Sequence, residues 1–291
     1  MAIATHKDPL DEGLRKIRVG LLGKGIAASR TPGMHMASAR ALGVPYQYDF
    51  LDPLEMTLPD KVDQILDQVE AQGYDGLNVT YPFKQAVIPH VDDLSKAARA
   101  VGAINTIVFR DGRRYGHNTD YWGFGTSLRL GLPDAVLTRV ILLGAGGAGG
   151  AVAQALLDAG VGTLLVHDPE VAKAQELVAI LQARFGAARA AVAEDVAMAR
   201  EVDGIVNASP VGMTKLPGCP LPKTLLSARQ WVADIVYFPP ETELLAAARA
   251  LGCAVLPGTG MALYQAVRAF ELFSGRAPDL DEMKAVLLAS D

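Results

Sequence analysis

The stretch Val140-Ile-Leu-Leu-Gly144-Ala-Gly146-Gly147-Ala148-Gly149-Gly-Ala-Val-Ala-Gln-Ala-Leu-Leu-Asp-Ala-Gly160 decides the fold. Four apolar residues read as a buried strand, a glycine-rich turn follows at once, and an Ala/Leu run continues as a helix. Gly144, Gly146 and Gly149 stand at GxGxxG spacing. Glycine at these points permits a tight turn, lets backbone N–H groups approach a pyrophosphate, and allows the helix to pack close to the sheet. With Gly147 and Ala148 completing the turn, the helix N-terminus faces the anion. The segment is therefore expected to bind a dinucleotide.

Outward from this turn the pattern stays α/β. Downstream, strands are expected at 163–167, 204–207, 231–234 and 254–256, with helices between most of them and a further helix over 260–274. Asp168 closes the first of these strands, in Val-His-Asp-Pro-Glu, about 20 residues beyond the turn, where an acidic side chain meets the adenosine ribose. A 2'-phosphate there would meet a like charge, and Pro169 brings no cation, so NAD is expected over NADP. Upstream, after a polar leader, come a strand at 18–22, a helix at 32–42 and a strand at 46–51. There follow an amphipathic helix at 61–72 with Val62, Ile65, Leu66 and Val69 inward, and a strand at 76–80. Residues 103–109 and 114–118 flank Asp111-Gly112 and predict a hairpin, because Asp-Gly supplies positive φ. A helix over 121–130, stopped by Gly131 and Pro133, leads into the glycine-turn unit.

The chain has 291 residues, 50% of them hydrophobic and 20% charged, which suits two compact α/β domains. The expected division is a substrate domain of residues 1–120 plus 260–291 and a Rossmann-like, doubly wound NAD-binding domain of 121–259, joined by two helices with a catalytic cleft between them. A net charge of -5 and the lack of any Lys/Arg cluster argue against nucleic acid. The longest apolar run falls short of the roughly 20 residues of a membrane span, and no stretch reads as a signal peptide. Cys219 and Cys253 make no CxxC and no disulfide framework, which points to a reducing, cytoplasmic setting. The five histidines fall at no metal-ligand spacing, so no metal is expected.

Polar clusters without an evident packing reason fall in the first half: Ser29-Arg30-Thr31-Pro32, Asn78-Val79-Thr80-Tyr81-Pro82-Phe83-Lys84, Ala103-Ile104-Asn105-Thr106, and Gly116-His117-Asn118-Thr119-Asp120. In α/β folds, ligands gather beyond strand ends of this kind. Together with Asn207-Ala208-Ser209-Pro210-Val211-Gly212-Met213, Asp234-Ile235-Val236-Tyr237 and Gly258-Thr259-Gly260-Met261 leading to Gln265, these motifs resemble the shikimate/quinate dehydrogenase family over nearly the whole chain. The resemblance implies a small polyhydroxylated carboxylic acid as substrate, with Ser29, Thr31, Asn78, Thr80, Asn105, Asp120, Tyr237 and Gln265 lining its pocket. It makes Lys84 and Asp120 the catalytic pair, and adds Asn207, Met213 and Gly260 to the cofactor site. The chemistry agrees, since hydride leaves the carbinol carbon while a proton leaves its oxygen to a positioned base. Taken alone, Lys84 would be a surface lysine and Asp120 a helix N-cap before Tyr121.

Two departures carry information. Biosynthetic members usually have Ser-x-Ser in the first turn and an Asn-Arg pair after the second cofactor-domain strand. Here Thr31 and His167-Asp168-Pro169 stand in those places, a combination similar to NAD-linked quinate/shikimate dehydrogenases. An enzyme limited to shikimate or an amino analogue is a neighbouring alternative. A ligand-sensing homologue is disfavoured by the presence of both Lys84 and Asp120. A folate-linked dehydrogenase is disfavoured because the first-domain clusters read as a polyol pocket. The expected oligomeric state is monomer or homodimer.

Overall fold

The computed structural model describes residues 15–289. The polar leader falls, up to residue 14, outside the described residues. In chain order the first elements are β1 (Ile17–Leu22), α1 (Thr31–Ala41), β2 (Tyr46–Leu51), α2 (Val62–Ala71), β3 (Gly76–Val79), α3 (Phe83–Ala86), β4 (Asp93–Leu94), α4 (Lys96–Val101), β5 (Thr106–Arg110) and β6 (Arg113–His117). Then come α5 (Thr119–Gly131), β7 (Arg139–Leu143), α6 (Gly147–Asp158), β8 (Thr163–His167), α7 (Val171–Phe185), β9 (Ala190–Val192), β10 (Gly204–Asn207) and β11 (Trp231–Asp234). The last are α8 (Glu243–Ala250), β12 (Ala254–Leu256), α9 (Thr259–Ser274) and α10 (Leu280–Leu288).

Two compact units result. The first holds the described residues up to Asp93, Ile104–Gly116, and those from Ala269 onward; the second holds Leu94–Ala103 and His117–Arg268. The division expected from sequence ran at 120/121 and 259/260. In the structure α5 falls in the second unit as expected, and α4 and most of α9 belong there too; α4 packs beside α5 on α6, the helix behind the glycine turn.

In the first unit the sheet order is β2-β1-β3-β5-β6-β4. Strands β2, β1 and β3 run parallel, and β5 is antiparallel to β3. The hairpin turn between β5 and β6 has φ of 54° at Asp111 and 67° at Gly112, as the Asp-Gly pair requires. Strand β5 starts at Thr106 rather than at the expected 103. Ile104 is drawn elsewhere, its N–H donating to Lys84 O at 2.8 Å, while Asn105 stays beside β3 through its O, which accepts from Val79 N–H at 2.8 Å. On α2, Ile65, Leu66 and Val69 are buried as the periodicity demands, and Val62 is half-buried.

The second unit is a fully parallel sheet in the order β12-β11-β10-β7-β8-β9. Counted from β7, this is the doubly wound order, with the switch point between β7 and β10. Its strands are buried on both faces, as parallel strands under helices must be: Val140 to Leu143 and Ile205 to Asn207 are at most 2% exposed. Among the described residues no helix is long and apolar enough to cross a membrane, and no group of His, Cys, Asp and Glu is arranged to hold a metal ion.

Candidate active site

In the first unit the parallel strands β2, β1 and β3 lie side by side, and the 29–32 and 78–84 clusters fall at or after their ends. Gly23 follows β1, and a Cβ there would stand 2.3 Å from Thr80 Cγ2 and 2.8 Å from Ile26 Cγ2. Glycine thus lets the 23–31 loop lie against the end of β3. The loop is pinned on its other side by Asp52, just past β2, whose Oδ2 accepts from Gly25 N–H at 2.8 Å and Ile26 N–H at 3.0 Å while Oδ1 accepts from Leu54 N–H at 2.9 Å. These backbone donors, Leu54's foremost, hold the Asp52 carboxyl below the usual carboxylate range. Ser29 and Thr31 are half-buried at the end of this loop, and Ser29 Oγ accepts from Thr31 N–H at 3.4 Å. Lys84 lies on α3, half-buried.

Asn78 and Asn105 are both 4% exposed and joined by a row of hydrogen bonds. Tyr48 on β2 donates its hydroxyl to Asn78 Oδ1 at 2.7 Å, Asn78 Nδ2 donates to Thr106 Oγ1 at 3.0 Å, and Thr106 Oγ1 donates to Asn105 Oδ1 at 3.1 Å. Asn78, expected to line the pocket, has its amide engaged within the sheet from both ends.

In the second unit the glycine turn has the shape its spacing predicts. Gly144 has φ of 102°, and a Cβ there would stand 2.8 Å from the backbone of Ala208 and Ser209, where β7 and β10 part. A Cβ on Gly149 would stand 2.2 Å from Gly144 O. Around Gly146 and Gly147, by contrast, a Cβ would meet nothing within 4 Å. Packing thus accounts for glycine at 144 and 149. At 146 and 147 the missing side chains leave open space over the first turn of α6, which begins without a side-chain cap. Those N–H groups and that space fit a pyrophosphate.

Asp168 closes β8 beside the turn. Its Oδ2 accepts from Ala145 N–H at 2.8 Å and its Oδ1 from Glu170 N–H at 2.9 Å, so the carboxylate is fixed and each oxygen retains acceptor capacity. Lys173, which feels the charge of Asp168, is held by Glu170 at 2.6 Å.

The loop after β10 hangs on a buried carboxylate. Asp234 Oδ1 accepts from Asn207 Nδ2 at 2.9 Å and Val236 N–H at 3.0 Å, and its Oδ2 accepts from Thr242 Oγ1 at 2.7 Å. Asn207 in turn donates to Val211 O at 2.9 Å, and its Oδ1 accepts from the Ser209 hydroxyl at 2.7 Å. Burial prevails over these donors and pushes the Asp234 carboxyl up from 3.8 to about 6. Met213 at the end of the loop is 42% exposed and Tyr237 36%.

Asp120 is 8% exposed in the first turn of α5. It is not the cap of that helix: Asn118 Oδ1 accepts from Tyr121 N–H at 3.0 Å, and Asn118 Nδ2 donates to Ala103 O at 3.0 Å. Gln265 is on α9 in the same unit. Gly260 has a packing reason of its own, since a Cβ would stand 2.1 Å from Ser127 Oγ. Three residues that hold these segments in place were given no role from sequence: Tyr48 and Asp52 in the first unit and Asp234 in the second. Tyr48 reads as a core aromatic in Tyr-Gln-Tyr-Asp-Phe-Leu, and Asp52 before a proline reads as a turn residue. Only Asp234, an acid ending an apolar strand, carried a signal.

Residues 21–107 match the model of the shikimate dehydrogenase substrate binding domain, and residues 258–288 that of the shikimate 5'-dehydrogenase C-terminal domain. The chain is 49% identical to a shikimate dehydrogenase (NADP(+)) of Streptomyces avermitilis over 271 residues, 92% of this chain and 93% of that one. The chain belongs to the shikimate dehydrogenase family. Within this family it is also 44% identical to a quinate/shikimate dehydrogenase (NAD(+)) of Corynebacterium efficiens, over 94% of this chain and 98% of that one. Among solved structures, quinate dehydrogenase from Corynebacterium glutamicum in complex with NAD superposes with a TM-score of 0.91 at 42% identity, covering 94% of this chain and 99% of that one. The two-sheet α/β architecture is thus the family's.

Proposed function

We propose that this shikimate dehydrogenase family member is an NAD-linked oxidoreductase that interconverts quinate with 3-dehydroquinate and shikimate with 3-dehydroshikimate. The choice of NAD rests on Asp168. Its fixed carboxylate beside the glycine turn accepts from ribose hydroxyls and repels a 2'-phosphate, while Lys173 is engaged by Glu170. Relatives of both cofactor types lie at similar identity, so the local chemistry at Asp168 is the discriminating feature. Gly144, Gly146, Gly147, Ala148 and Gly149 would hold the pyrophosphate, with Asn207, Met213 and Gly260 in the same cofactor site by their motifs. When bound, NAD supplies the hydride acceptor.

The chain's own side chains do the rest. Ser29, Thr31, Thr80, Asn105, Tyr237 and Gln265 supply hydroxyl and amide groups that donate to and accept from the acid, so that one carbinol presents its hydrogen in a single orientation. Lys84 Nζ takes the hydroxyl proton, and Asp120 supplies the carboxylate of the catalytic pair. Lys84→Ala should retain the fold and NAD binding while lowering kcat at least about a hundredfold; near-normal turnover would exclude the role. Measuring kcat/KM for quinate and shikimate with NAD and with NADP tests the assignment, and a preference for NADP would defeat the reading of Asp168.

A further inference from the structure

The row of hydrogen bonds from Tyr48 to Asn105 has a direction, and the direction is fixed by chemistry. Asn105 O, a backbone carbonyl that only accepts, lies 3.4 Å from one terminal atom of the Asn78 amide, which is therefore the NH2. The other terminal atom is the carbonyl oxygen, so the Tyr48 hydroxyl at 2.7 Å must donate to it. The Thr106 hydroxyl receives a proton from Asn78 Nδ2 and sends its own to the Asn105 side chain at 3.1 Å. The atom of Asn105 that accepts there is its oxygen, and the amide's NH2 is the end turned away from Thr106. Burial keeps Tyr48 in its protonated, donating form, its pKa lying well above the ordinary tyrosine value through burial first and the neighbouring Tyr46 second.

We infer that Tyr48 is a positioning residue for the substrate: through Asn78 and Thr106 it sets Asn105 with its N–H end as the group offered to a substrate oxygen. The inference rests on the reading of Asn105 as a substrate contact. An N–H donor at that point suits an oxygen that gains electron density as its proton leaves, whereas a flipped amide would offer a carbonyl and repel it. Asn78, a pocket residue by its motif, then acts as the middle link. Sequence gives no hint of this, because a tyrosine facing inward on a strand reads as core.

The test combines Tyr48→Phe, Thr106→Val, Thr106→Ser, the double variant Tyr48→Phe/Thr106→Val, and Asn105→Ala, each assayed for KM and kcat with quinate or shikimate and for cofactor KM, with thermal melts alongside. Tyr48→Phe and Thr106→Val should each raise the KM for the acid roughly tenfold and leave cofactor KM unchanged. The double variant should be no worse than Thr106→Val alone, since both cut one relay, whereas independent packing defects would multiply. Thr106→Ser, which keeps the hydroxyl, should recover most of the loss, and this comparison stands even if Tyr48→Phe folds poorly. If Asn105→Ala raises the KM for the acid while Tyr48→Phe and Thr106→Val do not, the relay is refuted and the substrate role of Asn105 survives. If Asn105→Ala has no effect, the reading of Asn105 as a substrate contact falls and the relay falls with it.

Discussion

The buried carboxyl of Asp234 should make the second unit less stable as the pH rises from about 4 to about 7. Its pKa is pushed from 3.8 to about 6 by burial, so between these values the folded chain holds a proton that the unfolded chain has released. Stability falls with pH wherever the native state binds more protons, and at about 1.4 kcal/mol per pH unit the interval amounts to about 3 kcal/mol. The loss is complete above about pH 6 and absent below about pH 4. Other carboxylates titrate in the same range, so the quantity to measure is the difference between the wild type and Asp234→Asn. That substitution keeps an oxygen to accept from Asn207 and Val236 and turns an NH2 toward Thr242 Oγ1, which retains acceptor capacity. Urea unfolding followed by tryptophan fluorescence reports this unit directly, since Trp122 and Trp231 are the chain's two tryptophans and both belong to it. The wild type should lose about 3 kcal/mol relative to the variant between about pH 4 and pH 7. A flat difference, or a wild type that gains on the variant as pH rises, would refute the burial argument.

The glycine turn separates packing from binding. Gly146→Ala meets no atom within 4 Å at an ordinary φ of -75°, so melting should be nearly unchanged while cofactor affinity, read by fluorescence titration, falls at least about tenfold. Gly149→Ala drives a Cβ to 2.2 Å from Gly144 O and should lower both stability, by about 1–3 kcal/mol, and affinity. Asp52→Asn removes the charge that holds Gly25 and Ile26; steady-state kinetics should show a roughly tenfold higher KM for the acid with cofactor KM unaltered. Gly204→Ala would place a Cβ 2.2 Å from the Trp231 ring, costing about 1–3 kcal/mol in denaturant unfolding and shifting the tryptophan emission.

The parts of the fold that were legible in the sequence are those with strong local signals. Strands β8, β10, β11 and β12 fall where apolar runs end in turn residues, and the β5–β6 turn follows from Asp111-Gly112. Strand β9 escaped because Ala-Ala-Val has neither alternation nor enough branched residues; it pairs because β8 offers it an edge. The two-residue β4 and the single turn of α3 carry no period at all. The units divide differently at α4 and α9, because the sequence shows where a helix starts but not which sheet it packs on: α4 joins α5 on α6 in the second unit. Lys84 and Asp120 were pointed to only through the family resemblance, whereas the glycines were legible from their spacing between strand and helix. Of the residues that fix others in place, Tyr48 and Asp52 look ordinary along the chain, and Asp234 stands out only as an acid ending an apolar strand. Their roles arise only when strands distant in sequence lie side by side.

Helix α10 lies against α1, and the two are tied by Asp279 N–H donating to Ser38 Oγ at 2.8 Å and by Arg30 Nη1 donating to Val286 O at 3.1 Å. A chain made from its N-terminus therefore emerges from the ribosome with α1 uncovered, and keeps it so while the whole parallel sheet of the second unit is synthesised. The unit that begins first is completed last, after a loop closure of more than two hundred residues. During that interval the side of α1 around Gly33 and Ser38, which α10 later covers, stays open, and any premature stop ahead of Leu280 leaves it so.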